Sequence, residues 1–254
     1  MKFTFGIITK SQNSFGRNDP SSPDKGNILK VIQSIEDLNI PEYEIIIVGG
    51  ENIYDNDKIR HFEFDDTIKP LWITPKKNII THHAKYDNIV FSHDYIYFLR
   101  DWYEGFLKFG NEWDICMNKI LNVDGSRFRD WCSWDDLDMC FGKNPQPPFD
   151  ATNPNHRIVL VPYNYNRTEY MYISGTYWVS KKYVMEKEPL NEDLYDWGQA
   201  EDVDWSKRVR EKYKYVMNTN SVVEVLRPNK KLSAYYVEGE EKYTTPGWEK
   251  NIND

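Results

Sequence analysis

The run Glu44-Ile-Ile-Ile-Val-Gly-Gly50 constrains the fold more than any other stretch of the chain. Four consecutive β-branched aliphatic residues leave no polar face for water, so the run reads as a strand covered on both sides, ending in glycines. Burial on both faces is the mark of a parallel sheet between helical layers, and the neighbouring segments supply those layers. Phe3 to Thr9 alternates and then turns apolar, as a buried strand does. After a polar stretch from Lys10 to Gly26 with turn signals, Asn27 is placed to cap a helix. Its apolar positions Ile28, Val31, Ile32, Ile35 and Leu38 recur at helical spacing, and Pro41 ends it. His61 to Asp65 reads as a short strand, Lys76 to Lys85 as a helix, and Asn88 to Phe91 as another buried strand. That order predicts an α/β layer with a mostly parallel central sheet flanked by helices. In such sheets ligands bind at the carboxyl ends of the strands. Thr9, Gly49 and Asp94 all lie at those ends, so one crevice is expected to unite them.

The second half is less regular. A helix-like segment from Leu99 to Phe109 precedes a strand at Asp114 to Met117, and residues 122–157 are irregular and rich in Trp, Asp, Pro and Asn. A loop this long is usually functional. Strands are expected at Arg157 to Val161 and Tyr170 to Val179, then a helix from Trp205 to Tyr213 and a strand from Ser221 to Leu226. With no internal repeat or low-complexity linker, residues 1–254 are read as a single domain.

Bulk properties exclude several classes. A net charge of -8 argues against general nucleic-acid binding, which needs clustered Lys and Arg. No apolar run approaches the roughly 20 residues of a membrane span. The opening residues read as a strand rather than a signal peptide, and three cysteines (Cys116, Cys132, Cys140) lack metal-type spacing. A cytoplasmic setting with reduced thiols is therefore expected, and the sequon Asn166-Arg-Thr168 is set aside. The 9 Trp, 18 Tyr and 12 Phe fit either an AT-rich codon bias or a set of platforms for stacking sugar rings.

Two acidic stretches carry the chemistry. Phe91-Ser-His-Asp-Tyr-Ile-Tyr97 closes an apolar strand with a carboxylate, and Tyr195-Asp-Trp-Gly-Gln-Ala-Glu-Asp202 places an acid pair before a basic helix. One such site suits a cation that neutralises a diphosphate, and the other suits a general base for an incoming hydroxyl. The competing structural reading is that Asp94 caps the segment after it, and that Glu201, Asp202 and Asp204 only meet a helix dipole.

Four blocks carry a resemblance to the GT-A glycosyltransferases, especially family-2-like enzymes. Thr4-Phe-Gly-Ile-Ile-Thr9 resembles the opening strand that meets the nucleotide. Ile73-Thr-Pro-Lys-Lys-Asn-Ile-Ile80 is similar to the helix before the metal motif. Ser92-His-Asp94 falls at the Asp-x-Asp position, with serine replacing the first acid. Gly198-Gln-Ala-Glu-Asp202 falls at the catalytic Glu-Asp, and also resembles the Trp-Gly-Gly-Glu-Asp loop of galactosyltransferases. Two further departures are that the second strand ends in Gly-Gly-Glu51 rather than Asp, and that no histidine follows His156.

The resemblance implies transfer of a hexose from a UDP- or GDP-sugar to a hydroxyl on a glycan or glycoconjugate acceptor, with Mn²⁺ or Mg²⁺ bound through Asp94. Residues 1–100 would form the nucleotide-sugar half and residues 101–254 the acceptor half. Donor contacts are expected from Thr9, Lys10, Gly49, Asp65 (or Asp66), Lys77 (or Lys76), Asn78, His93, Asp94, Ser174 and Gly175. Trp131, Trp197 and Glu201 are the expected acceptor contacts, with Trp134 a further stacking candidate. Asp202 is the expected base of an inverting reaction, although Glu201 and Asp202 can exchange roles. A retaining enzyme on the same fold, or an inactive carbohydrate-binding module, is the alternative.

Overall fold

The structure, a computed structural model, describes residues 1–10, 27–52, 56–69, 72–133, 158–166, 168–194, 201–226 and 234–236. Strand β1 (Phe3–Ile8) leads to helix α1 (Asn27–Glu36), then β2 (Tyr43–Val48), β3 (Ile59–Phe62), α2 (Ile73–His83), β4 (Asn88–His93), β5 (Ile96–Phe98) and α3 (Trp102–Phe109). Next come β6 (Ile115–Asn122), β7 (Cys132–Ser133), β8 (Ile158–Leu160), β9 (Met171–Tyr172) and β10 (Tyr177–Lys181). Helices α4 (Lys182–Lys187) and α5 (Glu201–Val209) precede β11 (Tyr215–Val225) and β12 (Ala234–Tyr236).

Eight strands form the main sheet in the order β3-β2-β1-β4-β10-β6-β11-β5. The β3-β2-β1-β4 block is parallel throughout, and β6 pairs parallel with β11. Antiparallel β10 sits between β4 and β6, and β5 adds an antiparallel edge. The sheet is thus mostly parallel, as the apolar runs predict. A smaller sheet, β12-β8-β7-β9, packs the short strands of the second half.

Alternation along the strands assigns the two faces. On one, Phe3 and Phe5 meet Trp102, Phe106 and Phe98 at ring separations of 5.0–5.4 Å, so α3 seats on an aromatic bed. On the other, Phe91 stacks on Trp178 at 4.6 Å and Trp178 meets Trp205 of α5 at 6.0 Å. Gly6 shares this second face, and α2 lies so close that a Cβ there would stand 2.3 Å from Ile80 Cγ2. Helix α2 therefore packs directly on β1.

Several boundaries differ from the sequence reading. The segment after Asp94 is first a turn and then β5, so Asp94 does not cap α3, which begins at Trp102. The Tyr170–Val179 run splits into β9 and β10, because Tyr177 N–H donates back to the Ser174 carbonyl at 3.0 Å and turns the chain. Strand β11 begins at Tyr215, six residues before the expected Ser221. Helix α5 begins at Glu201, not Trp205, so the acid pair occupies its first turn instead of a preceding loop. Among the described residues, no helix is long and apolar enough to cross a membrane.

Candidate active site

The parallel register brings three strand ends together. Ile8 pairs with both Val48 and His93, so Thr9, Gly49 and Asp94 emerge side by side. Thr9 Oγ1 donates to Asp94 Oδ2 at 2.7 Å. Gly49 adopts φ +88°, a left-handed conformation that side chains resist. A Cβ there would also lie 2.5 Å from the Thr9 carbonyl oxygen and 2.7 Å from Lys76 Nζ, so glycine is required twice over. His61 Nε2 bonds the Gly49 carbonyl at 2.9 Å. Lys10, exposed, continues the chain from Thr9.

Lys76 is buried beneath these strand ends. Its Nζ donates to the Thr9 carbonyl at 2.6 Å and pairs with Asp66 Oδ1 at 2.7 Å. Burial lowers its pKa, and Asp66 opposes that shift. Asp66 is thus the acid turned inward, whereas the expected Asp65 is exposed and accepts from the Thr67 hydroxyl and amide within its own turn. Those two bonds lower the Asp65 pKa.

A second cluster forms where α2, the β9–β10 turn and α5 meet. Lys77 Nζ donates to the Gly175 carbonyl at 3.0 Å and to Glu201 Oε1 at 3.2 Å, and lies 4.7 Å from the Trp178 ring centroid. The Gly175 amide donates to Asp202 Oδ2 at 2.9 Å. A Cβ on Gly175 would stand 2.7 Å from Glu201 Oε1 and 3.0 Å from Asp202 Oδ2, so only glycine lets both carboxylates close on the turn. Glu201 is buried, which raises its pKa; Lys77 pulls it back down and Asp202 pushes it further up. Asp202 is half-buried, with its other oxygen accepting the Val203 amide at 2.9 Å. Ser174 Oγ is buried with no hydrogen-bond partner.

Two contacts link the clusters. Lys76 and Lys77 are consecutive on α2, and the His93 amide donates to the Thr176 carbonyl at 3.1 Å. The His93 ring itself lies against Tyr95 at 5.1 Å. The remaining expected residues fall elsewhere. Asn78 holds the segment after α4, donating to the Leu190 carbonyl and Glu192 Oε1 and accepting from the Leu190 amide. Trp131 is 2% exposed, with its indole N–H on the Tyr165 carbonyl and its ring against Tyr215, so it is a core residue with no face for a sugar. Trp197 and Trp134 lie outside the described residues.

The Asp-x-Asp position is half-filled. Ser92 points to the opposite sheet face from Phe91 and His93, is 3% exposed, and its hydroxyl has no hydrogen-bond partner. Among the described residues no three His, Cys, Asp or Glu side chains gather to hold a metal. A divalent cation fits Asp94 only as one protein carboxylate completed by substrate phosphate and water, a donor set that Mg²⁺ commonly accepts.

No family model and no curated protein matches the chain. Solved structures do. S. aureus TarS aligns with a TM-score of 0.55 at 13% identity over 89% of this chain and 36% of that one. S. aureus TarS 1–349 in complex with UDP aligns with a TM-score of 0.51 at 15% identity over 93% of this chain and 61% of that one. The chain thus spans less than two thirds of either neighbour. At these identities the likeness shows the fold, which is of the GT-A type.

Proposed function

We propose that this protein is a glycosyltransferase that moves a hexose from a nucleotide diphosphate sugar to an acceptor hydroxyl on a glycan. The observation that carries the reading is the closure of Asp202 on the Gly175 amide at 2.9 Å, in a fold whose parallel strand ends present Thr9 and Asp94 together. Each Asp202 oxygen accepts one backbone N–H, from Gly175 and from Val203, and each keeps a lone pair for an incoming hydroxyl. The resemblance of TarS, a GT-A-type glycosyltransferase captured with UDP, supports the same assignment and makes UDP the first nucleotide to test.

In this reading the diphosphate lies at the ends of β1, β2 and β4. The acceptor oxygen forms its bond to the anomeric carbon as its proton passes to Asp202. The bond from that carbon to the diphosphate oxygen breaks, and its electron pair leaves with the nucleotide. A single displacement inverts the anomeric centre. Mn²⁺ or Mg²⁺ held by Asp94 would neutralise charge on the departing diphosphate. Thr9 fixes the Asp94 carboxylate.

The test is nucleotide release from a panel of UDP- and GDP-hexoses by wild type and Asp202→Asn. Asp202→Asn is expected to lose about 10²–10⁴-fold in turnover while binding the nucleotide as tightly as wild type. Equal turnover by the two proteins would contradict the assignment of the base, and a retained anomer in the product would contradict inversion.

A further inference from the structure

Lys77 sits where a donor-phosphate ligand is expected, yet its geometry serves another purpose. Its side chain is 2% exposed. It has three N–H donors: one meets the Gly175 carbonyl, one meets Glu201 Oε1, and the Trp178 ring lies 4.7 Å away. A group so enclosed has little left to offer a phosphate.

What Lys77 does hold is a closed ring of contacts. Gly175 is gripped on both sides, its carbonyl by Lys77 and its amide by Asp202. Glu201, the chain neighbour of Asp202 in the first turn of α5, returns the ring to Lys77. Within the ring Lys77 pairs with the buried Glu201, while Asp202 faces the Gly175 amide. The preceding residue, Lys76, grips the Thr9 carbonyl and Asp66 on the donor side. Two consecutive residues of α2 therefore tie the strand ends on the donor side to the carboxylate pair of α5.

We propose that Lys77 is a positioning residue, acting through Glu201 and the Gly175 backbone to aim the Asp202 carboxylate, and not a ligand of the donor phosphates. The inference rests on the glycosyltransferase reading above. It assigns Glu201 the matching role of counter-ion to Lys77.

The test is a double-mutant cycle on Lys77→Met and Glu201→Gln, reading UDP affinity by calorimetry and UDP release from UDP-hexose with water as acceptor. Each single variant is expected to bind UDP within about twofold of wild type and to lose about 100-fold in turnover, the scale of a small misplacement of a catalytic group. Because both act through one ring, the double variant is expected to lose about as much as either single one. A drop of more than tenfold in UDP affinity for Lys77→Met would overturn the proposal in favour of direct phosphate binding. So would unchanged turnover, or a double-variant loss equal to the product of the single losses.

If Lys77→Met has no melting transition, Gly175→Ala is the second probe, since its Cβ displaces both carboxylates and leaves Lys77 in place. Lost turnover with retained UDP affinity supports the ring, and full turnover sinks it. A wild-type protein that neither binds UDP nor releases it from any donor would remove the glycosyltransferase reading and this inference together. Turnover by wild type that Lys77→Met leaves untouched removes the inference alone.

Discussion

At the residue scale, the site is built from side chains whose partners lie far away in sequence. The strand-end position of Asp94 was legible because it closes a buried apolar strand, whereas Asp202 stood out as part of an acidic run but belongs to the first turn of α5 and not to a loop before it. The Lys77–Glu201 pair was not legible, since its members are 124 positions apart and nothing local marks either lysine of α2 as buried. The choice between Asp65 and Asp66 turned on a single bond, the inward pairing of Asp66 with Lys76. Trp131 misleads for a related reason: an irregular acidic neighbourhood suggests exposure, but the tryptophan packs under the small sheet. Burial also decides the cysteines. It pushes the Cys132 thiol up to about 12 and raises the Cys116 thiol as well. The thiolate is the reactive form, so a raised pKa means little thiolate at pH 8. In a Cys140→Ser background, native protein is expected to resist alkylation at pH 8 and to take up two equivalents only on unfolding. Labelling of Cys132 in the native state would contradict its placement.

At the element scale, long β-branched runs were read correctly as the parallel strands, because burial on both faces leaves an unambiguous pattern. Short strands were not. β7 and β9 have two residues each and carry no period to detect, and β5, with three residues, went unassigned just before the expected helix. The start of α5 was misplaced for a physical reason: Glu201, Asp202 and Asp204 look like loop acids, yet acids are favoured in a helix first turn by its dipole. The packing of α2 on β1 yields a direct prediction. Gly6→Ala places a methyl group 2.3 Å from Ile80 Cγ2, within the core rather than against a flexible tip. Overpacking of this kind costs about 1–3 kcal/mol. Urea unfolding is expected to show that loss, and Ile80→Ala combined with Gly6→Ala should recover part of it. An unchanged midpoint in Gly6→Ala would mean that α2 does not seat on β1 as described.

At the scale of the whole molecule, the order of strands explains why the candidate residues gather at one place. Parallel β1, β2 and β4 end on one edge, and antiparallel β10 returns its preceding turn to that edge, bringing Ser174 and Gly175 toward Asp202. Helix α2 spans both sides. The architecture was readable from the alternation of apolar runs and helical periods, while the small second sheet depended on pairings that only the folded chain reveals. The central claim is that the strand ends form a nucleotide site, and the most direct measurement is thermal unfolding with UDP, GDP, CMP and their sugars, with and without Mn²⁺, on wild type and Asp94→Ala. A ligand at about 100 times its Kd stabilises the native state by about 2.7 kcal/mol, or about 5–10 °C for a chain of this size. One nucleoside diphosphate is expected to give that shift with wild type and a smaller one with Asp94→Ala. No shift with any nucleotide, or a shift indifferent to Asp94, would contradict the account.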